Sequence, residues 1–136
     1  MWGPVPASWR PYLLSMLRVV AAFLFIVHGT QKLFDFPAAA QAMTFPLTSL
    51  LGVAGMIELA GGGLMLLGLL TRPVAFLVSG EMAYAYFHAH APGGFWPINN
   101  HGELAVLFCF IWLYIAAAGP GPWSVDAMIH RAARKP

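Results

Sequence analysis

The sequence predicts an all-α fold: an integral membrane four-helix bundle with both termini cytoplasmic. Three observations carry this. Of the 136 residues, 60% are hydrophobic and only 9% charged, and the mean hydropathy is +0.72. A soluble domain of this size carries roughly a quarter charged residues. The apolar residues gather into four runs, each near the ~20 residues that cross ~30 Å of hydrocarbon as a helix. Between the runs stand Pro and Gly, which end helices. A short chain of this composition reads as one membrane domain over residues 1–136.

The first span is expected from about Tyr12 to Phe34. It is too long for a signal-peptide core, contains Arg18 and ends in HGTQKLF, so it reads as a retained helix and not a cleaved leader. Phe36-Pro37 and Phe45-Pro46 bracket the first loop, where residues 37–43 have the composition of a short surface helix. The second span runs from about Leu47 to Leu70, and Thr71-Arg72-Pro73 makes a tight turn into the third, about Pro73 to Ala91. Ala91-Pro92-Gly93-Gly94 opens the third loop. The fourth span covers about Gly102 to Ala118, and Gly119-Pro120-Gly121-Pro122 stops it. Ser124 is an N-cap for a terminal surface helix reaching Lys135, with Val125, Met128, Ile129 and Ala132 on one face and Trp123 as its interfacial anchor.

Charge gives the direction. Arg10, Arg72, Arg131, Arg134 and Lys135 fall on the side shared by both termini and the second loop, while only Lys32 lies at the other. The positive-inside rule then puts both termini in the cytoplasm, and the loop from His88 to Glu103 faces outward.

Charges inside the spans are costly, at ~2.5–3.5 kcal/mol each for a central Arg, Lys or Asp even on mild scales. They are therefore expected to face the bundle interior. Arg18, His28 and Lys32 fall within ~80° of arc on the first helix. Glu81, Tyr84 and His88 follow an i, i+3, i+7 stripe on the third, from which His90 points away if the helix continues regularly. Gly52, Gly55 and Gly62 form a small-residue seam on the second, with Glu58 beside it. Depth along the helices pairs Arg18 with Glu81 as a buried ion pair near the cytoplasmic side. His28, Lys32, Glu58, His88, Asn99, Asn100, His101 and Glu103 are expected to line a polar pocket open to the outer side.

Other chemistries find less support. A net charge of +2 without a basic cluster excludes nucleic acid as a partner. The single cysteine, Cys109, cannot form an internal disulfide or a CxxC relay and reads as a packing residue. His28, His88, His90 and His101 are suitable copper or zinc ligands, but no fixed ligand spacing supports a metal site.

Three stretches, LFIVHGTQKLF, AGMIELAGGGLMLLGLLTRP and HAPGGFWPINNHGELAVLFCF, in this order and spacing, resemble the DoxX family of small four-helix bacterial membrane proteins. The likeness spans Leu17 to about Asp126, and His28, Gly29, Lys32, Glu58, Arg72, Pro73, Asn99 and Glu103 match the family's recurrent pattern. The extra histidines His88, His90 and His101 depart from it. The resemblance implies the bacterial inner membrane and a role in quinone- or thiol-linked redox physiology. A quinone needs hydrogen-bond donors near its carbonyls and a proton source, a polar part for which His28, Lys32 and Glu103 are candidates. It also needs an apolar slot, for which Tyr84, Phe87, Phe95 and Trp96 are candidates. The chain shows no flavin, haem or iron–sulfur motif, so electrons would come from a redox partner protein. Two alternatives stay open: a non-catalytic anchor or assembly factor for a soluble partner, and a metal or small-molecule binder. The lipid bilayer is the expected partner in every case, and homo-oligomerisation is left open.

Overall fold

Local chemistry starts and stops each helix. The computed structural model describes residues 3–41 and 44–134, and among these the regular structure is helical throughout. Helix α1 (Arg10–Phe34) has Pro11 in its first turn and ends at Asp35, which takes the left-handed conformation and donates its N–H to the Gln31 carbonyl. Helix α2 (Leu50–Leu67) is capped by Ser49, whose hydroxyl accepts the Gly52 N–H at 3.0 Å, and it ends at left-handed Gly68. Helix α3 (Thr71–Ala85) begins with Thr71-Arg72-Pro73, the residues expected to turn; the turn lies instead at residues 68–70, because proline fits the first turn of a helix. It runs into a π-helical turn (Tyr86–His90), and a short α4 (Pro97–Asn100) sits in the loop that follows. Helix α5 (Glu103–Ala118) and the terminal α6 (Val125–Ala133) complete the chain, α6 with Ser124 as its N-cap. Lys135, the expected end of that helix, lies outside the described residues.

The surface helix expected at residues 37–43 does not form: residues 37–41 are irregular, and 42–43 lie outside the described residues. Side chains at the end of α1 compete for this backbone. Thr30 and Gln31 donate to the Phe36 and Pro37 carbonyls, and Asp35 accepts the Ala39 N–H.

Helices α1 and α2 form one closely packed pair, α3 and α5 another. Glycines set the first contact. A Cβ on Gly29 would stand 2.7 Å from the Leu59 nitrogen and 2.8 Å from the Gly55 oxygen, so the two backbones touch. Between the pairs, Phe25, Phe108 and Trp112 stack edge-on and in parallel at 5.4–6.2 Å between centroids, packed with Met65, Val78, Met82 and Ile115. The outward faces are apolar instead of charged: Phe23, Phe76, Leu77 and Phe110 are all more than half exposed. A surface of this kind belongs against lipid or another apolar partner. Two helices, Ala7–Phe34 with its leading turn and Leu50–Leu67, are long and apolar enough to cross a membrane; α5 is apolar but has 16 residues.

The end that carries both termini is closed by charged caps. Helical side chains lean towards the N-terminus of their own helix, so Arg18 projects down α1 to this end. There its guanidinium donates to the carbonyls of Met65 and Leu66 in the last turn of α2, and to those of Pro120 and Trp123. The carbonyls of a last helical turn lack intrahelical partners and carry the negative end of the dipole, so a buried cation is at home there. Arg72 does the same for α5 through Ala116 and Ala117. Asp126 accepts the N–H groups of Leu70 and Thr71 at 2.9 Å each, capping α3. Burial pushes the Asp126 carboxyl up, but these N–H donors and nearby His130 outweigh it and hold the carboxyl below its ordinary value.

Candidate functional site

The same leaning of side chains builds the opposite half of the molecule. Lys32, near the far end of α1, crosses α2 at Gly55, where a Cβ would lie 3.1 Å from the Lys32 Cβ. Its ammonium reaches back to Glu58, one turn further along α2, at 2.5 Å. The Glu58 side chain is 3% exposed and that of Lys32 25%, so the pair sits below a partly open mouth. A buried pair of this kind gains strength from low dielectric but leaves a costly lone charge when either partner is removed.

The pair stands between two cavities. One, of about 250 Å³, lies within the bundle and is lined by His28, His90 and His101 above an apolar floor of Phe25, Met82, Leu104, Ala105 and Phe108. His28 presents its ring edge-on to Phe108 at 6.0 Å. The other, of about 350 Å³, is a cleft between α2 and α3, which are joined tightly at Gly68–Leu70 and contact each other far less than either contacts its own partner. Leu50, Leu51, Val53, Ala54 and Ile57 form its α2 wall. Glu81, Tyr84, Ala85 and His88 form the α3 wall. Lys32, Glu58 and His90 border both cavities. The arrangement is polar where the cavities meet and apolar along the cleft.

The expected Arg18–Glu81 ion pair is not formed. Arg18 is taken up by backbone carbonyls at the terminal end, and both Glu81 carboxylate oxygens are buried without a hydrogen-bond donor among the described residues. Similar depth on two helices does not make a pair when the free carbonyls of the last turn of α2 claim the arginine. Glu81 instead shares the cleft with Lys32 and Glu58.

Of the eight residues expected to line one pocket, His28, Lys32, Glu58 and His101 line the inner cavity, and His88 lines the cleft, where its ring stacks on Tyr84 at 5.1 Å. Three do not line either cavity. Asn100 is a bracket for the loop: its amide donates to the Gly94 carbonyl at 2.6 Å and its oxygen accepts the Gly102 N–H at 2.8 Å. Asn99 and Glu103 are exposed outside both cavities, Glu103 in the first turn of α5, where a carboxylate suits the helix dipole. Phe87, Phe95 and Trp96, expected as slot walls, are each about two-thirds exposed and line neither cavity.

His90 was expected to point away and instead enters the site. The π turn over Tyr86–His90 widens the helix and changes the phase of the residues after it. His90 Nδ1 lies 3.0 Å from the Asn100 carbonyl, and the Tyr86 hydroxyl donates to the Phe95 carbonyl, so the loop locks the turn in place. No residue pattern in YFHAH announces this. Among the described residues no three of His, Cys, Asp and Glu come together in a group able to hold a metal ion. Cys109 packs on α3, its carbonyl accepting the Ser79 hydroxyl at 2.7 Å.

Comparison with known proteins gives the lineage. The family model described as DoxX matches residues 13–91. An uncharacterized protein of Haemophilus influenzae is 45% identical over 123 residues, covering 88% of this chain and 92% of its own. An uncharacterized membrane protein of Mycobacterium tuberculosis is 25% identical, covering 97% of this chain and 90% of its own. The inner membrane protein YphA of Escherichia coli is 28% identical over 128 residues, covering 86% and 90%. No solved structure matches the chain.

Proposed function

The chain belongs to the DoxX family of membrane proteins, and from that premise we propose that it is a multi-pass inner-membrane protein whose outward half binds a quinone headgroup. In this reading α1, α2, α3 with its π turn, and α5 all cross the bilayer. The apolar outer faces support it, as does the gathering of Arg10, Arg72, Arg131 and Arg134 at the end that carries the termini. That end is cytoplasmic, and the cavity mouths face the periplasm. The inner-membrane name of the Escherichia coli relative agrees.

One observation carries the ligand class: the Lys32–Glu58 pair stands where a polar chamber meets an apolar cleft. A quinone is built the same way, with two carbonyls at one end and a hydrocarbon tail at the other. Lys32 has N–H groups beyond the one given to Glu58, and the His28 ring lines the same chamber. These are donors for quinone oxygens, while the leucines and valine of α2 flank the tail. The chain carries no redox cofactor motif, so electrons pass to or from the bound ring through a partner protein.

The test is binding. Protein in nanodiscs is titrated with short-chain ubiquinone and menaquinone analogues, following tryptophan quenching. Micromolar binding is expected, weakened at least tenfold by Lys32→Ala. An absence of binding to the unmodified protein, or an affinity indifferent to Lys32→Ala, refutes the reading.

A further inference from the structure

The chemistry of the cleft is lopsided. Glu81 Oε1 and Oε2 and Glu58 Oε2 are buried, and none accepts a hydrogen bond among the described residues. All three oxygens belong to residues that border one cavity. The nearest cation, Lys32, is engaged with the remaining oxygen of Glu58. Two carboxyl groups therefore face one ammonium. The surplus survives a change of protonation: a proton on Glu81 converts one of the three acceptors into a donor, and even when that donor is given to Glu58 Oε2 one Glu81 oxygen stays unmet. Buried polar groups are hydrogen-bonded in the great majority of proteins, and an unmet acceptor is a place to look for a missing donor.

Donors and acceptors are also unevenly spread. His28 lines the inner chamber and not the cleft, Glu81 the cleft and not the chamber, and Lys32 and Glu58 border both. A ligand lying across the junction meets a donor at His28 on its chamber side and acceptors at Glu81 on its cleft side. A head that can only accept, such as a quinone, satisfies half of this. A head with hydroxyl groups satisfies both.

We infer that the cleft selects the hydrogen-donating form of its ligand, a hydroquinone over the corresponding quinone, and that Glu81 is the residue that makes the distinction. This rests on the quinone reading above and adds to it a preferred redox state and a specificity-determining side chain. Glu81 acts here on binding alone. The pair of test ligands differs only by two hydrogens, so tail burial cancels from the comparison.

A short-chain ubiquinol and its ubiquinone are titrated anaerobically into the full-length protein in nanodiscs. The unmodified protein is expected to bind the quinol at least tenfold more tightly, the scale of one good hydrogen bond to a carboxylate. Glu81→Gln should bring the two affinities within about twofold of each other by weakening the quinol alone. Equal affinities in the unmodified protein, a preference for the quinone, or a Glu81→Gln variant that keeps the preference or weakens both forms alike overturns the inference while leaving the quinone reading intact. Failure of both ligands to bind the unmodified protein overturns both. Because the first comparison needs no variant, it decides the matter even if Glu81→Gln does not fold.

Discussion

Gly29→Ala is expected to unseat the site from a distance. The added Cβ would lie 2.7 Å from the Leu59 nitrogen, 2.8 Å from the Gly55 oxygen and 3.2 Å from the Glu58 carbonyl carbon. All three are backbone atoms, so no rotamer change relieves the clash. With carbon contacts at about 3.5 Å, α1 and α2 must separate by roughly 0.7 Å. Overpacking of this size costs about 1–3 kcal/mol. Gly63→Ala is the matched control, because nothing lies within 4 Å of its added Cβ. It should be neutral or gain up to about 1 kcal/mol of helix propensity. Unfolding in SDS mixed micelles, followed by tryptophan fluorescence, should therefore separate the two variants by at least ~1 kcal/mol. Gly29→Ala should also weaken ligand binding, since Lys32 lies one turn along α1 and meets Glu58 across the same contact. Equal stability of the two variants would refute the claim that backbone contact at Gly29 sets the helix spacing.

Arg18→Ala leaves the last-turn carbonyls of α2 and those of Pro120 and Trp123 without their donor, and should cost at least ~3 kcal/mol in the same assay. Arg18→Lys should recover little, because a single ammonium cannot replace a planar fork that spans several acceptors. Asp126, whose carboxyl is held below its ordinary value, contributes stability that is present above about pH 4 and is lost as pH falls through its folded value. Asp126→Asn keeps one acceptor oxygen and loses the other, and should cost roughly 1 kcal/mol at pH 7. Lowering the pH to 3 should narrow the gap between the two proteins, as read by urea-assisted thermal unfolding.

Hydropathy and turn residues made the helical order of this chain readable, because the expense of bare backbone in an apolar medium leaves few alternatives. Ser49 and Ser124 mark their helix starts through cap chemistry that acts over three residues. The site was readable only as a set of titratable residues at one end. Which of them meet depends on the lean of side chains and on helix phase. Depth matching failed for Arg18, which the carbonyls of α2 claim ahead of Glu81, while the lean of Lys32 back along α1 brings it to Glu58 within the expected set. Helix phase was lost at the π turn, where the loop bonds of Tyr86 and Asn100 reset His90. Those bonds join residues separated by a loop, and no local periodicity encodes them.

The clasp around Arg18 also bears on how the protein is made. Its acceptors at Met65 and Trp123 lie 47 and 105 residues downstream, so the guanidinium leaves the ribosome long before the last of them exists. Until residue 123 has been synthesised, the first helix carries a cation whose lodging is unfinished. Shortening the chain before residue 120 therefore strips a cation of the N-terminal helix of two of its four carbonyl partners, and the damage appears at the opposite end of the sequence from the cut.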